Sequence, residues 1–359
     1  MFKTYEKYII KNFTNKIIVL SLIFFSLIII LSILEEISFF KNINVHFILP
    51  YLITFLGAPI TLFEIFPFIF LISTQFLFYD LFKKDELVLL KTNGLSNMKV
   101  IKILFFSSFI IGVFTVLIFY NAASKLKFFY TDIKNDYSKD KKYLAVVNES
   151  GIWLKDEINN STIIVKANYI KDDHLIDVVI NEFNENFDLK RTIQSSKINI
   201  SKKLWIIKDP TITKKNITED NAKDTVLQTS FNTEIINSLF SNISTLNLIE
   251  LFDLKKDYEN LGYSSKEIQI HLLNLFTTPV FYGILTVLSS IIMFNINRNK
   301  SLIFHVIFGV LMSVIIYYIN FIFNSLGNNG EIPAIASILI PLICLTIFSI
   351  IGLIRINEK

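Results

Sequence analysis

Long apolar stretches occur in this chain in two groups of three, and one polar region separates the groups. Three stretches lie before Ala123, three lie after Ser265, and residues 124–265 between them are polar. Helices that face lipid are apolar around their whole circumference, which raises the average of the chain. Of the 359 residues 52% are hydrophobic, and the mean hydropathy is +0.51. We therefore expect an integral membrane protein with one folded domain held on one side of the bilayer.

The six apolar stretches are predicted to be transmembrane helices. Residues 17–34 carry no charge, and a helix of that length crosses about 30 Å of hydrocarbon at 1.5 Å per residue. This stretch is longer than the apolar part of a signal peptide, and Glu35 and Glu36 follow it where small residues would mark a cleavage site. The other spans are predicted at about 58–81, 103–123, 268–296, 302–326 and 333–354.

Basic residues predict the orientation of these spans. The N-terminus, the two loops that follow spans two and four, and the C-terminus carry thirteen of them: Lys3, Lys7, Lys11, Lys16, Lys83, Lys84, Lys91, Lys99, Lys102, Arg298, Lys300, Arg355 and Lys359. The short loops on the other side carry Lys41 as their one lysine or arginine. Because basic residues are retained on the cytoplasmic side, both termini are predicted to be cytoplasmic and the middle domain periplasmic.

The polar region between the third and fourth spans is predicted to be rich in β-strands. Compact β-branched or aromatic runs at 162–165, 177–180 and 203–207 are separated by short polar turns, as in an antiparallel sandwich or jelly roll. Residues 122–265 contain 20 basic and 21 acidic side chains, a balance that argues against nucleic-acid binding. Residues 246–263 have the spacing of an amphipathic helix that leads into span four.

Motifs for nucleotide binding and for hydrolysis are absent from the sequence. No glycine is followed by lysine, so a phosphate-binding loop is excluded, and neither H-E-x-x-H nor G-x-S-x-G occurs. The single cysteine, Cys344, and the four scattered histidines provide neither an intrachain disulfide nor a Cys/His metal cluster. We expect a protein that is not an enzyme, binds no metal or other cofactor, and takes energy from another subunit.

The second span contains Pro59, Glu64 and Pro67, which are unusual residues for a membrane helix. A carboxylate deep in the bilayer has to face protein or water, so Glu64 could belong to a polar cavity. Alternatively, Pro59 starts the helix and Glu64 lies near the outer interface. The second interpretation is favoured, because Glu64 follows the start of the apolar stretch by only a few residues.

The loop after span two predicts a short amphipathic helix at about 83–95. Leu87, Leu90 and Lys91 share one helical face, and Gly94 is suited to end the helix. Such a helix could fit a groove on a soluble partner. Alternatively, its lysines anchor it to lipid headgroups, and spacing alone favours that interpretation.

Several short segments follow one another in a characteristic order. They are Pro59 and 66–68 in span two, 85–88 and 92–96 after it, the G-x-W-x-K segment at 151–155, 183–186, Leu204-Trp205, 326–333 and Pro341. Their order and the three-plus-three arrangement resemble the LptF/LptG family of lipopolysaccharide-export permeases over nearly the whole chain. Leu261-Gly262-Tyr263, with His271 and Pro279, is more similar to LptG than to LptF.

The resemblance implies a membrane α-helical fold of six transmembrane helices with an inserted, all-β, jelly-roll-like periplasmic domain. The parts would be 1–123 and 266–359 in the bacterial inner membrane and 124–265 in the periplasm. It also implies four partners: lipopolysaccharide, a second LptF-like permease, a cytoplasmic LptB-like ATPase dimer that binds the ATP, and a single-span LptC-like protein. Spans one and five would form lateral gates. The residues implied in ATPase coupling are Asp85, Glu86, Leu87, Leu90, Gly94 and Ser96.

The substrate-binding residues are less well defined than the coupling helix. Glu35, Glu36, Lys41 and Glu64 are the candidates. Two adjacent carboxylates would repel lipid phosphates unless a divalent cation bridged them, so Glu35 and Glu36 are interpreted as the headgroup-level end of span one. The alternative functions are a membrane sensor or scaffold with a β ligand-binding domain and, less favoured, a lipid-modifying enzyme.

Overall fold

A computed structural model describes most of the chain. The described residues are 3–92, 94–137, 152–158, 161–171, 173–214, 217–219, 224–233, 235–236, 242–260, 263–294 and 302–357. Several residues used above lie outside these ranges, namely Asn93, Gly151, Leu261, Gly262, Ile296, Arg298, Lys300 and Lys359.

The chain forms two compact units. The membrane unit contains Met1–Tyr130, Ile243–Leu251 and Ser265–Lys359, and the β unit contains Thr131–Asn242 and Phe252–Ser264. Among the described residues, six helices are long and apolar enough to cross a membrane, and a β region is inserted between the third and the fourth. The prediction of a six-helix membrane fold with an inserted β domain is therefore confirmed.

The helices extend beyond the apolar stretches on which they were predicted. Their bounds are α1 Thr4–Phe40, α2 Leu49–Lys83, α3 Glu86–Thr92, α4 Asn97–Phe114, α5 Asn121–Tyr137, α6 Leu248–Asn260, α7 Lys266–Phe294, α8 Leu302–Asn328 and α9 Ala334–Asn357. A helix can continue beyond the edge of the hydrocarbon, because its backbone hydrogen bonds are satisfied within the helix itself. We call the end of the bundle at Thr4, Lys83, Asn97 and Phe294 the basic end.

The bounds of helix α2 correct the interpretation of Pro59. The helix begins at Leu49 with Pro50 in its first turn, where proline has no hydrogen bond to lose, and Pro59 lies inside it. The prediction that Pro59 starts the helix is therefore wrong. Glu64 lies fifteen residues after Leu49, about 22 Å along the axis, and not near the start.

Close packing of α4 on α7 depends on glycine. A Cβ atom at Gly112 would lie 2.7 Å from the Cα of Pro279, and one at Gly283 would lie 2.6 Å from the ring of Phe105. The hydroxyls of Ser108 and Thr286 are 2.7 Å apart across the same interface. Small residues let membrane helices approach until their backbones touch, which maximises van der Waals contact and allows hydroxyl pairs to form.

The membrane helices differ in how much of their surface the unit covers. In the most apolar window of α7, 61% of the residues are buried, and in that of α2 44% are buried. The corresponding values are 11% for α1 and 17% for α8. Helices α2 and α7 therefore form the centre of the unit, whereas α1 and α8 lie at its periphery with most of their apolar surface uncovered.

The third span contains a π-helical segment, Thr115–Tyr120, between α4 and α5. Segments with i to i+5 hydrogen bonding are rare and occur frequently at functional sites. The Thr115 hydroxyl donates to the carbonyl of Gly112 at 2.8 Å. Tyr120, the last residue of the segment, is buried with 1% of its surface exposed.

The described residues of the β unit form two antiparallel sheets. The strands are β1 Ile152–Ile158, β2 Ser161–Ala167, β3 Tyr169–Lys171, β4 His174–Phe183, β5 Leu189–Asn199, β6 Leu204–Ile207, β7 Thr211–Lys214, β8 Ile217–Glu219 and β9 Thr225–Gln228. The larger sheet has the order β1-β2-β4-β5-β7-β8, with β3 also paired to β4, and the smaller sheet pairs β6 with β9. Strands adjacent in space are thus mostly adjacent in sequence, as local hairpin pairing produces.

Alternating burial gives the β unit its core. In β1 the side chains of Ile152 and Leu154 are buried and Trp153 between them is half exposed, as the two-residue period of a strand requires. Trp205 is fully buried, and its indole nitrogen donates to the carbonyl of Phe231 at 3.2 Å.

The amphipathic helix predicted at 246–263 is confirmed as α6, in which Leu251 and Leu254 are buried.

Candidate functional site

The short helix α3 lies at the basic end and turns two of its leucines inward. Leu87 is 3% exposed and joins the main core of the membrane unit, and Leu90 is partly buried against the same core. The exposed apolar side chains are Val88 and Leu89, at 58% and 64%. We call Val88 and Leu89 the α3 patch. Of the predicted coupling residues, Leu87 is buried and Leu90 is partly buried, so these two side chains hold the helix to the bundle.

The end of α3 has the geometry of a Schellman cap. The amide of Leu95 donates to the carbonyl of Leu90 at 3.1 Å, and that of Gly94 donates to Lys91 at 2.9 Å. Gly94 has a φ of +83°, which a residue with a Cβ rarely adopts. Ser96 is the N-cap of α4, and its hydroxyl accepts from the amide of Lys99 at 3.3 Å. Gly94 and Ser96 thus fix the turn on which α3 is displayed.

Polar contacts join α3 and α2 to the first helix. The hydroxyl of Tyr8 in α1 donates to Oε2 of Glu86 at 2.7 Å. Lys16 of α1 forms an ion pair with Asp80 of α2. Asp85, the residue before α3, is exposed and has a φ of +53°. The predicted coupling carboxylate Glu86 is therefore hydrogen-bonded to α1.

The adjacent carboxylates at the end of span one have different surroundings. Glu35 is exposed, whereas Glu36 is 2% exposed and its Oε1 accepts a hydrogen bond of 2.7 Å from the hydroxyl of Tyr130. Lys41 is exposed at the C-cap of α1. Glu36 is therefore buried in the membrane unit and Glu35 is not, and their position at headgroup level stays a prediction.

A cavity of about 300 Å³ lies between the spans of the membrane unit. Its lining combines apolar and aromatic side chains with hydroxyl, amide, imidazole and carboxylate groups, and we call the polar members of the lining the polar wall. Its polar or partly polar lining residues are Glu64, Tyr120, Ser244, His271, Asn274, Thr277, Thr278, Tyr282, Ser313, Tyr317, Asn320 and Asn324. A cavity of this size, apolar with convergent polar groups, is the usual form of a site for a small molecule or for part of a larger one.

The polar wall is built by residues far apart in the sequence. The Tyr120 hydroxyl is 2.9 Å from Nε2 of His271 and 3.1 Å from the carbonyl oxygen of Leu246. Asn320 and Asn324 lie one turn apart on α8 and line the same cavity. Among the residues that line the cavity, only Glu64 was predicted from the sequence as a binding candidate. The i, i+4 spacing of Asn320 and Asn324, which places both amides on one face of α8, was the local sequence signal for the others.

The cavity offers hydrogen-bonding groups together with aromatic rings. Among the described residues, no group of three or more His, Cys, Asp or Glu side chains is arranged to hold a metal ion. Its hydroxyl and amide groups, together with Phe63, Phe68 and Phe281, suit an amphiphile with a hydroxyl-rich head. Ionisable groups within membrane-spanning helices, here Glu64 and His271, mark substrate pathways in many membrane proteins.

The fold and the cavity together define a multi-pass membrane protein of the transporter class with an inserted β domain. The family profile described as "Lipopolysaccharide export system permease LptF/LptG" matches residues 7–355, and the chain belongs to that family. No curated protein matches the chain significantly. The family description covers LptF and LptG together, so the closer similarity to LptG stays a prediction.

Proposed function

We propose that this permease is the transmembrane subunit of an ATP-driven exporter that extracts lipopolysaccharide from the inner membrane. Its helix α3 would receive movement from a separate cytoplasmic ATPase dimer, and its spans would form half of the path for the lipid. A single-span periplasmic protein would accept the lipid next. The observation that carries the proposal is an exposed apolar patch on a helix whose other face is fixed in the core.

The α3 patch supports the coupling role. Val88 and Leu89 are exposed beyond the last turn of α2, while Leu87 anchors the same helix in the core. An apolar pair of this kind fits a groove on a soluble protein, as amphipathic helices do when they bind partners. Because Glu86 is hydrogen-bonded to Tyr8, a push on α3 would reach α1 without an intervening loop.

The uncovered spans support a second permease subunit. A cavity of about 300 Å³ is too small to enclose a lipid with several acyl chains, so one chain alone cannot form the path. Helices α1 and α8 are the ones with the lowest burial, 11% and 17%. We propose that these two helices meet their counterparts in an LptF-like or LptG-like partner and act as the lateral gates.

The polar residues of the cavity support a role in holding the saccharide part of the lipid. Asn274, Asn320 and Asn324 offer donors and acceptors that match sugar hydroxyls, and aromatic rings line the same cavity. Glu64 would accept hydrogen bonds from the same hydroxyls. We propose these residues as substrate contacts, while Glu35, Glu36 and Lys41 stay candidates at the C-terminal end of α1.

The basic end is proposed to be cytoplasmic. Lys3, Lys7, Lys11, Lys99 and Lys102 are gathered there on the first turns of α1 and α4 or next to them. The positive-inside rule then gives cytoplasmic termini, a cytoplasmic α3 and a periplasmic β unit.

Charging the α3 patch tests the coupling role. The double variant Val88→Asp/Leu89→Asp should reduce recovery of the ATPase with the permease by tenfold or more, because two carboxylates would be buried without partners in the interface. The measurement is purification from native membranes in mild detergent, with quantification of every associated chain, followed by ATP-dependent lipid release in proteoliposomes.

Ile217→Asp is the matched control, since Ile217 in β8 is 71% exposed and far from α3 in the sequence. It should leave both readouts unchanged. Normal ATPase recovery and lipid release by the α3 double variant would contradict the proposal. Recovery of a histidine kinase in place of an ATPase would favour the sensor or scaffold function.

A further inference from the structure

A second groove lies at the basic end, on the outer surface of the membrane unit between α1 and α4. Its volume is about 600 Å³, within the range of roughly 300–1,000 Å³ that ligand sites occupy. It shares no lining residue with the polar cavity described above. Its floor is apolar, and Phe106 and Ile110 of α4 lie in it with 61% and 63% of their surfaces exposed.

Three lysines stand at the mouth of this groove. Lys7 and Lys11 lie one turn apart on α1, and Lys102 lies near the start of α4. Within the part of the chain that the structure describes, none of these three ammonium groups forms an ion pair. Glu6 also lines the groove and accepts a hydrogen bond of 2.8 Å from the backbone amide of Lys3, so the groove carries three ammonium groups against one carboxylate.

The lysines and the exposed apolar residues of this groove follow one another along the helix axes. Helices α1 and α4 both start at the basic end and run into the membrane from there. Ile110 lies eight residues beyond Lys102, about 12 Å further along the axis at 1.5 Å per residue. Positive charge therefore lies at the level of the headgroups and bare apolar surface at the level of the acyl chains.

We propose that this groove binds one anionic glycerophospholipid, such as phosphatidylglycerol, in the leaflet at the basic end. The phosphate contacts Lys7, Lys11 and Lys102, and an acyl chain lies along Phe106 and Ile110. Basic pockets between transmembrane helices recognise anionic headgroups in this way. The inference needs only that the chain spans a membrane and does not rest on ATPase coupling.

The test measures lipid preference with the full-length permease and its associated subunits in mild detergent. The protein is equilibrated with equimolar phosphatidylglycerol and phosphatidylcholine, and the bound lipids are quantified by mass spectrometry. Each lysine near an anionic lipid strengthens binding by roughly fivefold. We expect the wild type to prefer phosphatidylglycerol at least tenfold, and Lys7→Gln/Lys11→Gln/Lys102→Gln to lose at least tenfold of that preference.

A second triple variant removes the same charge elsewhere at the basic end. Lys3→Gln/Lys99→Gln/Arg355→Gln changes three exposed residues that do not line the groove, and it should lose less than about twofold. Equal losses in the two triple variants would overturn the proposal, because the preference would then reflect only total charge. Displacement of the lipid by inorganic phosphate would also overturn it, since the acyl chain would play no part.

Photocrosslinking locates the bound chain. A benzophenone side chain at Ile110 should capture phosphatidylglycerol, whereas one at Ile118, 55% exposed two turns further along the span, should show no preference among lipids. Capture of a polypeptide at Ile110 would show that a subunit covers the groove and would refute the assignment. Capture of lipopolysaccharide in place of phosphatidylglycerol would refute it as well.

Discussion

Replacing Gly112 with alanine should push α4 away from α7. The added Cβ would lie 2.7 Å from the Cα of Pro279 and 3.2 Å from the ring of Tyr282. Ordinary contact begins at 3.4 Å, so the helices would have to separate by about 0.7 Å, and the atom that obstructs is backbone. Overpacking of this kind costs about 1–3 kcal/mol, more than the roughly 1 kcal/mol that alanine gains over glycine in a helix.

Gly352 in α9 offers a matched control for this prediction. A Cβ there would lie 2.8 Å from Cδ1 and 3.0 Å from Cγ2 of Ile291, so its nearest neighbours are side-chain atoms that a change of rotamer can move and not backbone. In mild detergent, the midpoint of thermal unfolding should fall for Gly112→Ala by about 2–4 °C per kcal/mol lost. It should change little for Gly352→Ala. Equal shifts for the two variants, or a higher midpoint for Gly112→Ala, would refute the reasoning from backbone contact.

Two further predictions concern the core at α3 and the β unit. Leu87→Ala should lower the free energy of unfolding by about 2–5 kcal/mol because Leu87 is 3% exposed, whereas Leu89→Ala should change it by less than about 0.5 kcal/mol. Equal midpoints of thermal unfolding for these two variants would contradict the buried position of Leu87. In the β unit, burial alone would raise the pKa of Glu182, but hydrogen bonds and charges from Lys190 and Arg191 outweigh it and lower that pKa. The resulting stabilisation is fully present above the unfolded-state pKa of about 4.3 and is lost as the pH falls through the lower folded-state pKa. Glu182→Gln should remove this part of the pH dependence of unfolding, read from tryptophan fluorescence, since both tryptophans lie in the β unit; an unchanged pH dependence would contradict it.

The membrane fold was predictable because a lipid-facing helix is apolar around its whole circumference. The β region was predictable because buried and exposed side chains alternate along its strands. These patterns do not locate helix ends, since polar residues continue a helix outside the hydrocarbon. Helix α1 is apolar over 17–34 but runs from Thr4 to Phe40. The same gap explains the error at Pro59. Pro59 is a starting signal only if no helix precedes it, and Leu49–Ala58 is already helical.

The candidate sites were less predictable because they depend on which way a helical face turns. Spacing groups Leu87 with Leu90, but only the packed structure tells that this face points inward and that Val88 and Leu89 point outward. The polar cavity combines side chains more than 100 residues apart, such as Tyr120 and His271. Nothing in the local sequence of either residue indicates the other, so such a pair emerges only when the spans are assembled.

The π-helical segment Thr115–Tyr120 joins α4 and α5 within one continuous span. It sets how far α5 is rotated about the helix axis relative to α4. One residue more or fewer rotates everything downstream by about 100°, since a helix advances 3.6 residues per turn. The side chains of α5 can therefore face a direction that the packing of α4 on Pro279 does not determine. Inserting or deleting one codon in this segment would rotate Tyr120 about the helix axis. The contact of Gly112 with Pro279 would stay unchanged.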